Sequence, residues 1–171
     1  MLNTKIFKMQ NLIINITQEN FTLLEKGDIG CFILPENLSK RFKCDFIEKA
    51  HKHGALCLLS GASEYADYEA DGVVLDLSKE EKPQKIIKEF KKKNPKALLG
   101  VISRNRRHEA MLISECEPEF IIFKVWADGL DKNRELLQWY AELFLIQSAV
   151  WPQEDVDYAS LPADFIIKND V

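Results

Sequence analysis

Acidic, basic and hydroxyl side chains stand directly after short apolar runs at several points in this 171-residue chain. Groups of these types, brought together, bind anionic small molecules such as phosphate esters. The candidate catalytic residues are Asp76 and Lys124, and Asp76 is also the candidate metal ligand. The candidate phosphate-binding residues are Arg104, Ser103, Ser148, Lys168 and Ser60. The predicted partner is therefore a phosphorylated small molecule.

Three arginines, Arg104, Arg106 and Arg107, stand between an apolar run and the helix predicted to follow it. Cations are disfavoured at a helix N-terminus, where the macrodipole is positive. A docked phosphate, bound by the free amides, would favour such a cluster. The alternative is a solvated loop in which Glu109 and Glu115 are ion partners, and both interpretations stay open.

Asp76 ends an apolar run, Gly72–Leu75, that is predicted to be buried. As a metal ligand it needs a second carboxylate, and Glu36 and Asp71 are the candidates. An equally good interpretation is that Asp76 caps the helix that follows. Trp126 and Trp151 follow two other runs, where each ring can stack on a heterocycle or pack against a loop or a partner subunit.

The apolar runs that precede these residues are five or six residues long and do not alternate with polar residues, which is typical of strands covered on both faces. They predict strands at Leu12–Ile16, Gly30–Leu34, Ala55–Ser60, Gly72–Asp76, Ala97–Ile102, Phe120–Val125, Leu143–Ser148 and Asp164–Lys168.

Amphipathic segments lie between the runs and predict helices at Asn37–His53, Lys79–Lys93, Arg106–Cys116, Lys132–Ala141 and from Pro152 to about Ser160. Alternating strands and helices predict a parallel sheet with right-handed crossovers. We therefore expect an α/β fold, a compact (β/α)8 TIM-type barrel in a single domain over 1–171, without the last helix. An open doubly wound sheet is disfavoured because no Gly-rich turn follows the first strand.

Composition limits the range of functions. A net charge of -4 argues against nucleic acid as a partner, which would need a basic excess. No run is long enough for a membrane span, and Met1–Ile16 has no signal-peptide pattern. The four cysteines form no C-x-x-C pair. We expect reduced thiols and a cytoplasmic location.

Two segments, Gly54–Leu75 (GALCLLSGASEYADYEADGVVL) and Leu99–Phe123 (LGVISRNRRHEAMLISECEPEFIIF), resemble consecutive strands of the thiamine-phosphate synthase family. Gly27–Pro35 and Asn133–Phe165 fit the same pattern, and the likeness is to a divergent, alphaproteobacterial-like branch. The resemblance implies a transferase that joins hydroxymethylpyrimidine pyrophosphate to thiazole phosphate and releases pyrophosphate, with magnesium as cofactor. It further implies that Arg104 and Lys124 hold phosphate or pyrophosphate.

The chain departs from that family at the positions that carry its chemistry. Leu59-Ser60-Gly61 stands where the family has Asn-Asp or Asp, and Val74–Lys79 replaces its His-Leu-Gly-Gln-Glu-Asp pattern. Ser148-Ala149 falls at the Gly-Gly turn, so Ser148 would face the thiazole phosphate. These departures favour an alternative, a non-catalytic phosphate-binding or regulatory protein with a degenerate active site. A third interpretation is a homo-oligomeric interaction module such as a homodimer.

Overall fold

The computed structural model describes residues 11–170. Eight parallel strands form a closed barrel in which neighbours along the chain are neighbours in the sheet. The strands are β1 (Leu12–Asn15), β2 (Cys31–Leu34), β3 (Leu56–Ser60), β4 (Gly72–Asp76), β5 (Leu98–Ile102), β6 (Phe120–Val125), β7 (Gln147–Pro152) and β8 (Phe165–Asn169). The predicted TIM-type α/β barrel is confirmed. Residues 1–10, on which the signal-peptide expectation partly rests, and Val171 lie outside the described residues.

Helices occupy several connections between the strands. They are α1 (Thr22–Glu25), α2 (Lys40–Lys52), α3 (Pro83–Lys93), α4 (Arg107–Ser114) and α5 (Leu130–Leu143). Short 3-10 turns, Tyr65–Asp67 and Tyr158–Ser160, stand in the β3–β4 and β7–β8 connections. None of the helices in the described residues has the length and apolarity that a membrane crossing requires.

The described chain forms two compact units, one holding residues up to Val74 and from Ile167 onward, the other Leu75–Ile166. In the first unit, the ring of Phe32 packs edge-on against Phe46 of α2 with centroids 5.0 Å apart. Since side chains alternate along a strand, Ile33 faces the barrel interior. Asn15 pairs with Ile33 in the sheet and therefore shares that inner face.

In the second unit, Phe123 of β6 packs against Tyr140 of α5 with ring centroids 5.7 Å apart. Alternation therefore turns Phe120 and Lys124 to the inner face of β6. Gly100 of β5 pairs with Phe120, and a Cβ at position 100 would lie 2.5 Å from Cζ of that ring. Glycine is thus the residue that lets the Phe120 ring lie across β5.

Three sequence-based boundaries were wrong. The predicted strand Leu143–Ser148 combines the end of α5, at Leu143, with the start of β7, at Gln147. Of the helical turn predicted from Pro152 to about Ser160, the structure has the 3-10 turn Tyr158–Ser160, and Pro152 itself is the last residue of β7. The helix predicted from Lys79 begins at Pro83, a favoured residue for the first helical turn.

Candidate functional site

A groove of about 370 Å³ opens in the second unit where β5 and β6 end. We call it the β5–β6 groove. Its lining residues come from these strand ends and from the loops after β4, β5 and β6: Ser78, Ile102, Ser103, Arg104, Asn105, Arg106, Lys124 and Trp126. Barrel enzymes carry their active sites at this carboxyl-terminal edge of the strands. The structure therefore brings together three of the residues predicted from the sequence, Ser103, Arg104 and Lys124.

Arg104 is held by the loop that follows β4. Its Nε donates a hydrogen bond to the carbonyl oxygen of Ser78. Asp76 shapes that loop, because its Oδ1 accepts hydrogen bonds from the Ser78 hydroxyl at 2.6 Å and the Ser78 amide at 3.1 Å. The Arg104 side chain keeps 38% of its surface exposed. A fixed guanidinium that still faces solvent is suited to binding an anion.

Lys124 reaches the same groove from the inner face of β6. Its Nζ lies 4.0 Å from Oδ2 of Asp76 and 5.4 Å from the ring centroid of Trp151. The ring is in place because Trp151 pairs with Lys124 in the sheet. At 4.0 Å the ion pair is too long for a direct hydrogen bond, and 31% of the lysine side chain is exposed. The ammonium therefore remains able to contact a small molecule.

Asn105 is a contributor that the sequence reasoning missed. Its Nδ2 donates to the carbonyl oxygen of Lys124 at 2.8 Å and to Oδ1 of Asn133 in the first turn of α5 at 3.0 Å. The side chain thereby ties the loop after β5 to the end of β6. The signal available was its position, an amide residue between Arg104 and Arg106 just beyond a strand.

Glu109 lies between two of the arginines. Its Oε1 is 3.9 Å from Nη1 of Arg104 and 3.9 Å from Nη1 of Arg106. Its Oε2 is buried and makes no hydrogen bond within the described residues. The ion pairing predicted for Glu109 is confirmed. The other predicted partner, Glu115, instead accepts a hydrogen bond from Gln84.

The remaining predicted residues lie elsewhere or are engaged locally. Ser60 ends β3, as expected, and belongs to the first unit. Ser148 is the second residue of β7, near its amino end, so its predicted place at the carboxyl end was wrong. Lys168 lies on the opposite face of β8 from Asn169, which bonds to inward-facing Asn15, so Lys168 faces away from the interior. Ser103 is 3% exposed, and its hydroxyl donates to the carbonyl oxygen of Arg104.

Magnesium was expected from the resemblance, with Asp76 as ligand. Asp71, one candidate second carboxylate, precedes the amino end of β4, where it accepts from the Cys57 amide and contacts Nε2 of His51 at 2.9 Å. Across the described residues, no three His, Cys, Asp or Glu side chains are grouped so as to hold a metal ion. Asp76 is moreover paired with the Lys124 cation. These residues do not fit a resident magnesium site.

No protein-family model matches the chain, and no curated protein matches its sequence. Solved structures do match. A thiamine phosphate pyrophosphorylase from Pyrococcus furiosus superimposes with a TM-score of 0.72 at 18% identity, covering 96% of this chain and 87% of that one. The fold that these structures share with the chain is a TIM-type α/β barrel.

Enzymes of other activities are similar to the same degree. The YdjI aldolase from Escherichia coli K12 has a TM-score of 0.73 at 11% identity, covering 98% of this chain and 78% of that chain. A tryptophan synthase from Mycobacterium tuberculosis has a TM-score of 0.68 at 10% identity, with coverages of 96% and 87%. Because one fold supports many different activities, these similarities establish the architecture alone, and function has to be argued from the residues of the site.

Proposed function

We propose that this protein binds a phosphorylated small molecule in the β5–β6 groove, as a thiamine-phosphate synthase-type barrel. One observation carries the proposal: Arg104, fixed by its hydrogen bond to the Ser78 carbonyl, lines the same groove as Lys124. Two cations converging on a concave site at the strand ends match the charge of a phosphate group. The resemblance of Gly54–Leu75 and Leu99–Phe123 to that family names the candidate ligands.

The phosphate belongs at the arginine side of the groove. Arg106 lines it beside Arg104, and no side chain of the described residues caps the N-terminus of α4, which begins at Arg107. Uncapped amides and the positive end of a helix favour an anion at this position. Trp126, 44% exposed, also lines the groove and offers a flat face to a heterocycle.

Catalysis by this site would use Lys124 beside the transferred group, with Asp76 orienting its ammonium. Magnesium would enter with a pyrophosphate, and the pyrophosphate oxygens and bound waters would supply most ligands of such an ion. A second candidate function is ligand binding without turnover. The pairing of Asp76 with Lys124 favours it, because the carboxylate beside Lys124 is already matched to a cation.

Calorimetric titration separates these candidates. The ligands are thiazole phosphate and hydroxymethylpyrimidine pyrophosphate, each with and without magnesium, followed by an assay for thiamine phosphate. Saturable binding with product supports the transferase, and binding without product supports the non-catalytic protein. If neither compound nor inorganic phosphate binds, the phosphate-site proposal is wrong.

We also propose that the chain works in the cytoplasm as a homodimer. The second unit exposes apolar side chains just before β7, Leu143 at 63% and Leu145 at 102%. Apolar residues this open are typical of contact surfaces. Light scattering in solution tests the dimer, since a strict monomeric mass contradicts it.

A further inference from the structure

The amine of Lys124 has neighbours that suit covalent chemistry as well as binding. It projects from the inner face of β6 into a concave groove, with most of its side chain covered. A carboxylate stands 4.0 Å from Nζ, and the Trp151 ring covers another side at 5.4 Å. A lysine amine that is largely covered and has a proton acceptor nearby can attack carbonyl carbons.

We propose that Lys124 forms an imine with a phosphorylated aldehyde or ketone bound in the β5–β6 groove. The inference rests on the proposed phosphate site, because the arginine side of the groove would hold the phosphate while the carbonyl carbon meets Nζ. Holding a carbonyl compound at both ends raises the effective concentration of the amine.

Asp76 carries the protons that imine formation must move from nitrogen to oxygen. Because Nζ and Oδ2 are 4.0 Å apart, its carboxylate takes a proton from the Lys124 ammonium through a bridging water. The freed lone pair then bonds to the carbonyl carbon as the C=O π bond opens onto oxygen. The oxygen of the resulting carbinolamine receives that proton, and Asp76 then moves a second proton from nitrogen to the hydroxyl. The C–O bond breaks, water leaves and a protonated imine remains. The ammonium and carbonyl compound thus become iminium and water, with no other reactant.

The separation of the two groups suits this relay. Because Nζ and Oδ2 of Asp76 are 4.0 Å apart, they are close enough for ion pairing and too far for a direct hydrogen bond. One small oxygen atom, that of the carbinolamine, can therefore lie within reach of both groups. Lysines on the outer helices, such as Lys85 and Lys92, face solvent and serve as internal references for chance labelling.

Borohydride trapping tests the inference on the full chain. The protein is incubated with glyceraldehyde phosphate or dihydroxyacetone phosphate, reduced, and mapped by mass spectrometry. We expect one adduct per chain, on Lys124, at a rate at least about tenfold above that of any solvent-facing lysine. Lys124→Arg should lose the adduct, and Asp76→Asn should slow its formation. Labelling of Lys124 no faster than of Lys85 overturns the inference.

Glycerol phosphate, which has no carbonyl, separates this inference from the phosphate site. If glycerol phosphate binds by calorimetry and the carbonyl phosphates give no Lys124 adduct, imine formation is wrong and the phosphate site stands. If glycerol phosphate does not bind and no adduct forms, both are wrong. Circular dichroism of Lys124→Arg and Asp76→Asn checks that loss of the adduct is not loss of folding. Lys124→Met, which removes the charge as well, should also be unlabelled.

Discussion

The Nε of Arg104 donates a hydrogen bond to the carbonyl oxygen of Ser78, so the loop after β4 fixes the guanidinium that follows β5. The same loop is shaped by Asp76, which accepts two hydrogen bonds from Ser78. The anchoring bond uses Nε, which leaves the terminal nitrogens of Arg104 for an anion and for Glu109 at 3.9 Å. The position of the candidate phosphate ligand is therefore set by β4 as much as by its own strand.

Arg104→Gln should weaken phosphate-ester binding about tenfold or more, equivalent to about 1.4 kcal/mol, because a charge-assisted contact is lost. Calorimetry with thiazole phosphate and with inorganic phosphate measures the change. Arg134→Gln is the matched control. That arginine pairs with Asp131 at 2.7 Å and is not a lining residue of the groove. Equal weakening by both substitutions would show that the effect is one of overall charge.

Gly100→Ala should destabilise the fold by about 1 to 3 kcal/mol, the usual effect of overpacking a core. The new Cβ would lie 2.5 Å from Cζ of Phe120 and 2.9 Å from two further ring atoms, and that ring is buried. Denaturant unfolding measures the loss. Adding Phe120→Leu to Gly100→Ala should recover part of it, because the clashing ring is removed.

Gly30→Ala is the control for that experiment. A Cβ at Gly30 meets no atom of residues 11–170 within 4 Å, so we expect a change within about 0.5 kcal/mol. If Gly100→Ala unfolds at the same denaturant concentration as the wild type, the packing of Phe120 across β5 is not as described. Failure of Phe120→Leu to recover any stability would contradict the clash as the cause.

The strands were predictable from sequence because their apolar runs are short and bounded by polar residues, as at Gly72–Asp76, which matches β4. The exception is β7. Leu143, Phe144 and Leu145 continue the apolar pattern of α5 into the strand, and local composition does not show that Leu145 is fully exposed. The resulting shift of four residues is what misplaced Ser148.

The candidate site was predictable only where it depends on strand ends. Parallel strands of a barrel all end at the same edge, which predicts that Asp76 and Lys124 lie close together at the carboxyl-terminal edge. The two side chains form an ion pair there. The roles of Ser78 and Asn105 depend on loop conformation and on backbone carbonyls as acceptors. Residue type and spacing predict neither the loop conformation nor the backbone acceptors, so the sequence does not indicate these two roles.

Thiol reactivity should divide the cysteines by burial. Burial, with a smaller contribution from the negative charge of Asp71, raises the pKa of the Cys31 thiol to about 12 and raises that of Cys57 further. The thiolate is the reactive form, so a disulfide reagent should label exposed Cys44 first and leave Cys57 unreacted in the folded protein. Time courses of labelling at about pH 8 measure the rate for each cysteine.

Cys44→Ser is the control, since it should remove the fast phase and leave the buried thiols of Cys57 and Cys116 accessible only on unfolding. If Cys57 is labelled as fast in the folded protein as in the unfolded chain, the burial of β3 is contradicted. Even at a pH about one unit higher, labelling of Cys57 should stay far slower than that of Cys44, because the pKa of Cys57 is raised well above that range.

Alkaline pH should test the buried hydrogen bond between the Tyr140 hydroxyl and Ser114 Oγ, which are 2.8 Å apart. Burial raises the pKa of Tyr140 from 10.0 to about 12, against the opposing effect of that hydrogen bond. Below pH 10 the tyrosine is neutral in both the folded and unfolded chains, so its contribution to stability is complete. Between pH 10 and about pH 12 the unfolded chain ionises first, and that contribution is progressively lost.

Tyr140→Phe should therefore cost about 1 kcal/mol at neutral pH, because Ser114 loses its partner. The difference in free energy of unfolding between the wild type and the variant, which we call the gap, should narrow as the pH rises from 10 to about 12. The reason is that the variant has no phenol to ionise at this position. Denaturant unfolding at a series of pH values measures the gap, and subtracting the two curves removes every other titrating group they share. A gap that widens over this range would mean that the folded chain ionises first. In that case the packing of Tyr140 between Phe123 and Phe144 would not exclude water.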